Sequence, residues 1–170
     1  MWAWQFSELQ FIATLNRWTP FISMQSLYNL AYREEEREMI PFCKKTGVGL
    51  IPWSPIAGGL LARPYGEGSS LRHGTDKLLK NSFLAKEGER EGDIDKAVCE
   101  RVEKVAKDKE ISMANVAIAW SLAKGCSPIV GLNKLERVVD TVKAIKVRLT
   151  DEEMKFLEEP YAPKAVMGHS

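Results

Sequence analysis

Apolar stretches of two lengths alternate along this chain, and that alternation restricts the fold more than any other feature of the sequence. Residues 21–25 (FISMQ), 48–52 (VGLIP) and 127–130 (SPIV) have the length and composition of short strands. Longer segments with apolar residues at helical spacing follow them. Residues 34–46 carry Met39, Ile40, Phe42 and Cys43 on one side, with three glutamates at the start, Lys44 and Lys45 near the end, and Gly47 as the stop. A bend or tightening is expected near Pro41. Ile94, Val98, Val102, Val105 and Ala106 mark a helix over 93–109. Ser112 caps the next, with Met113, Val116, Ala117, Trp120 and Ala123 inward and Gly125 at its end. Asn133 or Lys134 opens a helix striped by Leu135, Val138, Val139 and Val142. Thr150 and Glu153 form a capping box, with Leu149 and Met154 as its staple, for a short helix ending before Pro160. A further amphipathic helix, with Trp2, Phe6, Leu9, Ile12 and Ala13 as its stripe, precedes the first strand.

Strands alternating with helices, and apolar on both faces, predict a parallel sheet covered by helices. Three strands in 170 residues are too few to close an eight-stranded barrel, which takes roughly 250 residues. An open three-stranded sheet leaves two bare edges. Either the fold is small and open, or the chain is part of a larger one.

The stretch of residues 49–61, GLIPWSPIAGGLL, has the chemistry of a ligand site. Pro52 has no amide hydrogen to offer a neighbouring strand, so the strand is expected to stop there. Trp53 then stands either as a flat surface on which a ring can stack or as a core residue at the mouth of a sheet. Gly58 and Gly59 allow close backbone approach to a ligand. The stretch from 54 to 92 has little periodicity, and a loop of that length in a compact domain is expected to be functional or partly disordered. With 24 basic and 23 acidic residues the formal net charge is +1, which gives no field for nucleic acid or an anionic membrane surface. Cys43, Cys99 and Cys126 are scattered without metal-ligand spacing, which favours a reducing compartment, the cytosol by default. The first residues have no basic leader region, and no apolar run is long enough to span a bilayer.

Three longer motifs carry a resemblance: SMQSLYNLAYREEEREMIPFCKKTGVGLIPWSPIAGGLL, SPIVGLNKLERVVDTVKAI and LTDEEMKFLEEPY. Together they resemble the C-terminal half of an aldo-keto reductase, in the branch of the aryl-alcohol dehydrogenases and versiconal hemiacetal acetate reductases. The resemblance implies an α/β fold, the part of a (β/α)8 TIM barrel that holds about strands six to eight, and makes residues 1–170 a partial domain. It implies NADP as cofactor, bound without a Rossmann glycine fingerprint, and a small carbonyl or alcohol as substrate. Gln25 then matches the residue that fixes the nicotinamide carboxamide, and Trp53 the aromatic on which the ring stacks. Ser54, Pro55, Ile56 and Gly58 match the backbone strip along the phosphates; Arg72, in the loop, is expected either to reach a phosphate or to stand as a solvated loop arginine. Lys134 and Arg137 match the pair that holds the adenosine 2′-phosphate. Asp140 is directed at the adenine amine, although Thr141 stands where many relatives have Asn or Ala.

The family's catalytic Tyr, Lys, Asp and His belong to the first half of the barrel. None of Tyr28, Tyr32, Tyr65, Tyr161, His73 and His169 falls in such a motif, so no catalytic residue is assigned. Two readings follow: a truncated NADP-dependent reductase, or a non-catalytic cofactor-binding or interaction module or inactive fragment. The C-terminal sequence has the look of a natural end and Met1 that of an artificial boundary. Exposed barrel edges are expected to promote self-association.

Overall fold

The computed structural model describes residues 1–67 and 90–167. Helix α1 (Ala3–Leu15) comes first. Its first turn is capped from two sides, by Gln5 Oε1 accepting from Trp2 N and Glu38 Oε1 accepting from Ala3 N, both at 2.9 Å. The expected stripe is only partly right. Ala3, Phe6 and Ala13 are buried, whereas Leu9 and Ile12 are exposed along with Trp4, Phe11 and Leu15. The helix is apolar nearly all round, so its sequence pattern does not say which side is covered. Gln10 exchanges two hydrogen bonds of 2.8 Å with the backbone of Phe21 and so fixes the entry to strand β1 (Ser23–Met24).

A 3₁₀ turn (Glu34–Glu36) then leads to α2 (Met39–Thr46). The break expected near Pro41 falls earlier, at Glu38, whose backbone is not helical. Pro41 itself lies in the first turn of α2, where a missing N–H costs nothing. Gly47, at φ 74°, closes α2 in the left-handed conformation. Strand β2 (Gly49–Leu50) follows and pairs with β1 in parallel, Ser23 opposite Gly49 and Met24 opposite Leu50.

Pairing does not stop at Pro52. Trp53 N donates to Ser26 O at 3.0 Å, and parallel bridges join Leu27 to Trp53 and Trp53 to Ile129. On the other side of β2, Ser127 N donates to Leu50 O and Ile129 N to Pro52 O, each at 2.8 Å. The polar groups of Pro52 therefore face residues 127–129. Its missing N–H thins that ladder but leaves the pairing with β1 intact, because in a parallel strand alternate residues bond to opposite neighbours.

Helices α3 (Arg90–Asp108) and α4 (Met113–Ala123) bury the faces their spacing predicts, with Val98, Val102, Val105, Val116, Ala117 and Trp120 in the core. Ala123, expected inward, is exposed. The cap on α4 is real, Ser112 Oγ accepting from Asn115 N, and Gly125 ends the helix at φ 82°. Helix α5 (Leu135–Val142) and a 3₁₀ turn (Lys143–Lys146) precede α6 (Asp151–Glu158), whose capping box is complete at 2.8 and 3.2 Å. Leu149 and Met154 both pack against the core.

The sheet is covered on one face only. Residues that share a rung of a parallel ladder point the same way. Met24, Leu50 and Cys126 point into the helix-covered core. Gln25, Gly49, Trp53, Ser127 and Ile129 point to the opposite side and are exposed. The expectation of a sheet buried on both faces is thus corrected, since no described element lies over the second face. Helix α5 is bare too: none of its residues is buried, and Leu135 is 74% exposed.

A polar cluster ties the C-terminal segment to the centre. Arg33 pairs with Glu36 at 2.7 Å and Glu158 at 3.0 Å, and Trp120 Nε1 donates to Glu158 at 2.8 Å. Lys124 reaches the same two carboxylates. Glu34 accepts from Tyr161 Oη and Lys164 N at 2.5 and 2.7 Å, and Lys164 Nζ pairs with Asp95.

Candidate functional site

Trp53 is the middle member of the row formed by the carboxyl ends of the three parallel segments. It is bridged to Leu27 on one side and Ile129 on the other, and the residue is 41% exposed. That exposure sets it apart from a core tryptophan such as Trp120, which has none. Gln25, the residue after β1, lies on the same side as Trp53, two residues before Leu27, and is exposed.

Immediately after Trp53 the backbone turns sharply through left-handed conformations. Ser54 has φ 57° and Ala57 φ 48°, values that cost a residue with a side chain, followed by Gly58 at 64° and Gly59 at 106°. Ser54 Oγ accepts from Gly58 N at 2.9 Å, and Ser54 O accepts from Ala57 N at 2.9 Å. The turn is held by its own side chain, so a phosphate reaching Gly58 N must share that donor with Ser54. Pro55 is buried, and the surface of this strip comes from Trp53, Ser54, Ile56 and Gly58.

Asn29, which sequence reasoning passed over as part of a polar link, positions this turn. It is fully buried, its Oδ1 accepts from Ala31 N and Tyr32 N at 2.9 Å, and its Nδ2 donates to Ser54 O at 3.0 Å. The available signal was a short amide side chain between two aromatics, a residue type that bonds its own backbone two or three positions on.

Lys134 is the N-cap of α5, and Arg137 lies in its first turn; both are exposed. Arg137 Nη1 donates to Asn133 Oδ1 at 3.1 Å. Lys134 is five positions beyond Ile129, so its Cα lies within roughly 17 Å of that end of the Trp53 row. Asp140 is turned elsewhere. Its carboxylate accepts from Ser112 Oγ at 2.9 Å, Asn115 Nδ2 at 3.4 Å and Lys143 Nζ at 3.2 Å, which fastens α5 to the start of α4. Partial burial would raise its pKa, but those bonds outweigh it and hold the carboxyl below its ordinary value. Arg72 lies outside the described residues.

Three tyrosine hydroxyls are committed to structure. Tyr28 Oη donates to Glu36 at 2.5 Å, Tyr161 Oη donates to Glu34, and Tyr32 Oη accepts from Met167 N at 2.9 Å. Burial, with the neighbouring carboxylates, pushes the phenols of Tyr28 and Tyr161 well above their ordinary value. All three cysteines are free and buried, and burial raises the Cys99 thiol to about 11. Among the described residues no group of His, Cys, Asp and Glu could hold a metal ion, and no helix is long and apolar enough to cross a membrane.

The family profile described as "Aldo/keto reductase family" matches residues 3–162. The chain is 54% identical over 167 residues to the versiconal hemiacetal acetate reductase of Aspergillus parasiticus, an alignment covering 98% of this chain and 48% of that protein. It is 51% identical over 164 residues to a Saccharomyces cerevisiae protein named for aryl-alcohol dehydrogenase, covering 96% of this chain and 46% of that one. Among solved structures, the thermostable aldo-keto reductase Tm1743, crystallised with the inhibitor epalrestat, superposes with a TM-score of 0.55 at 25% identity. That likeness covers 81% of this chain and 39% of the other. The chain therefore spans about half the length of the curated relatives it matches.

Proposed function

Because this chain belongs to the aldo/keto reductase family, we propose that it is the cofactor-holding part of an NADP-dependent oxidoreductase acting between a small carbonyl and its alcohol. In this reading the three parallel segments take positions six, seven and eight of an eight-fold βα barrel, and the open face of the sheet is the barrel interior. One observation carries the reading: Trp53, half-exposed and central in the row of strand ends, is followed at once by a left-handed turn. Ligands of such barrels gather at the carboxyl ends of the strands.

When bound, the nicotinamide supplies or takes up the hydride. The chain's own residues then bind and orient. The Trp53 ring offers a flat apolar surface for stacking, and the Gln25 amide can both donate to and accept from a carboxamide. Lys134 and Arg137 put two cations at the amino end of a helix, where a phosphate dianion is favoured. Ser54, Ile56 and Gly58 line the path between them. Three free, buried thiols suit a reducing compartment, and we assign the enzyme to the cytoplasm.

The general acid is assigned to no residue of this chain. The commitment of Tyr28, Tyr32 and Tyr161 to structural bonds favours a second reading for the chain by itself, a cofactor-binding module without catalysis.

The experiment is a titration with NADP and NAD followed by tryptophan fluorescence, with Trp53→Phe identifying the reporting ring. NADP is expected to bind more tightly than NAD. Charge-assisted contacts contribute about 1.5 to 3 kcal/mol each, so Lys134→Ala with Arg137→Ala should weaken NADP at least roughly tenfold and leave NAD unchanged. Equal affinities in the unmodified chain would remove the assignment of Lys134 and Arg137. Failure to bind either would favour an inactive fragment.

A further inference from the structure

We propose that Asp140 is a positioning residue for the two phosphate-directed cations: by bonding across to Ser112 and Asn115 it sets where the amino end of α5 stands, and thereby how strongly a 2′-phosphate is preferred. The inference rests on the NADP reading of Lys134 and Arg137, and gives Asp140 a part in it that needs no contact with the cofactor.

The amino half of α5 has little of its own to hold it. Every residue from Gly131 to Val139 is exposed, Lys134 and Arg137 among them. Asp140 and Thr141 are the first half-buried residues, and the first buried one is Ala144, in the 3₁₀ turn beyond the helix. At 1.5 Å of rise per residue, Ala144 lies roughly 15 Å from Lys134 along the axis and Asp140 roughly 9 Å. A helix fastened at one point pivots about it, and the displacement grows with distance from the pivot. A second attachment fixes the direction of the axis, and Asp140 supplies it. Its Oδ2 accepts from Ser112 Oγ at 2.9 Å and from Asn115 Nδ2 at 3.4 Å, both at the amino end of α4. These anchors are themselves fixed, Ser112 as the N-cap of α4 and Asn115 as a residue only 1% exposed. The other oxygen, Oδ1, accepts from Lys143 Nζ at 3.2 Å, so both carboxylate oxygens are engaged within the protein rather than turned to an adenine amine. Lys134, Arg137 and Asp140 are spaced three apart, and each is the neighbour of the next on the helix surface.

Three roles for this carboxylate give three different outcomes on its removal. A plain surface carboxylate near Lys134 and Arg137 would repel a phosphate, and its removal would tighten NADP. A carboxylate in contact with the adenine amine would serve both dinucleotides, and its removal would weaken both. A positioning carboxylate serves the 2′-phosphate alone, so its removal weakens NADP in spite of the relieved repulsion and leaves NAD as it was.

The test is the fluorescence titration with NADP and NAD, on variants whose urea midpoints show them folded. Asp140→Ala and, separately, Ser112→Ala are each expected to weaken NADP roughly fivefold with NAD unchanged, as follows if the holding position is then occupied about a fifth of the time. Ser112→Ala is the sharper of the two, because it alters no charge and lies on a different helix. Ser112→Thr keeps the hydroxyl and should restore the preference, and Lys146→Ala, at an exposed position beyond the helix, should not disturb it. Without cofactor, amide hydrogen exchange over residues 135–139 should be faster in both alanine variants than in the unmodified chain. NADP affinity unchanged or raised in the alanine variants, or NADP and NAD weakened together, overturns the proposal and leaves the assignment of Lys134 and Arg137 standing. Equal affinities in the unmodified chain overturn that assignment and this proposal with it.

Discussion

At the scale of single residues, Glu35 is a buried carboxyl whose surroundings disfavour its charge. It is 7% exposed, and burial pushes its carboxyl above the ordinary value, reinforced by Glu38 and Glu34. A buried carboxylate held this way opposes folding while it is ionised. Glu35→Gln keeps the shape and removes the charge, so at pH 7 it should raise stability by about 1 kcal/mol, read as an upward shift of the urea midpoint. The gain should vanish at a pH low enough to protonate the wild-type carboxyl. Asn29 is the opposite case, a buried amide with its bonds made. Asn29→Ala orphans Ala31 N and the link to Ser54 O, and should cost about 2 to 4 kcal/mol in the same measurement. If Asn29 also positions the turn after Trp53, the fluorescence of Trp53 will change in the folded variant.

At the scale of elements, the ends were more legible than the faces. Ser112, Gly125, Thr150 and Gly47 each do what their residue type announces, because a cap or a left-handed stop is decided within one turn of chain. The faces of α1 and α5 were not legible in that way. Periodicity identifies an apolar stripe but not what covers it, and the stripe of α5 is covered by nothing described here. Pro52 misled for a related reason. The direction in which its missing donor points depends on which neighbour lies on which side of β2, a tertiary fact. The tie between α4 and α5 shows the same limit, since Asp140 reads in sequence as one more surface acid. Ser112→Ala removes both the cap on Asn115 N and a donor to Asp140, and should cost about 1 kcal/mol for the cap alone. A double-mutant cycle with Asp140→Ala should give a coupling of at least 0.5 kcal/mol, as neighbours sharing a bond do. Additivity would mean that the two helices are held by packing alone.

At the scale of the whole molecule, the number of strands left open a small sheet or a part of a larger one, and the sheet has one bare face among the described residues. Of the proposed site, the positions of Trp53 and Gln25 near strand ends and of Lys134 and Arg137 at a helix start were legible in the element pattern, whereas the roles proposed for them come from the resemblance. Asn29 and the Ser112–Asp140 tie were not legible, since each depends on residues 25 or more apart in sequence. What holds the C-terminal segment is the polar cluster, and its charges set the pH response of the whole fold. Burial would raise the carboxyls of Glu34 and Glu36. Bonds from Lys164 N, Tyr161 and Arg37 to the first, and from Arg33 and Tyr28 to the second, outweigh it and hold both below the ordinary value of 4.5. A carboxyl depressed by folding stabilises fully above that value and loses its contribution as pH falls through the folded pKa. Tyr28 and Tyr161, raised above 10.0 by burial and by those same carboxylates, act at the other end, where the unfolded phenols ionise first and stability falls as pH rises past 10.0. The urea midpoint should therefore be flat near neutrality and fall on both sides, below about pH 4.5 and above about pH 10. Glu35→Gln should steepen the acid side, because protonation of Glu35 relieves the wild type there and cannot relieve the variant. An acid side unchanged by that substitution would mean that Glu35 reaches solvent in solution and carries no buried charge.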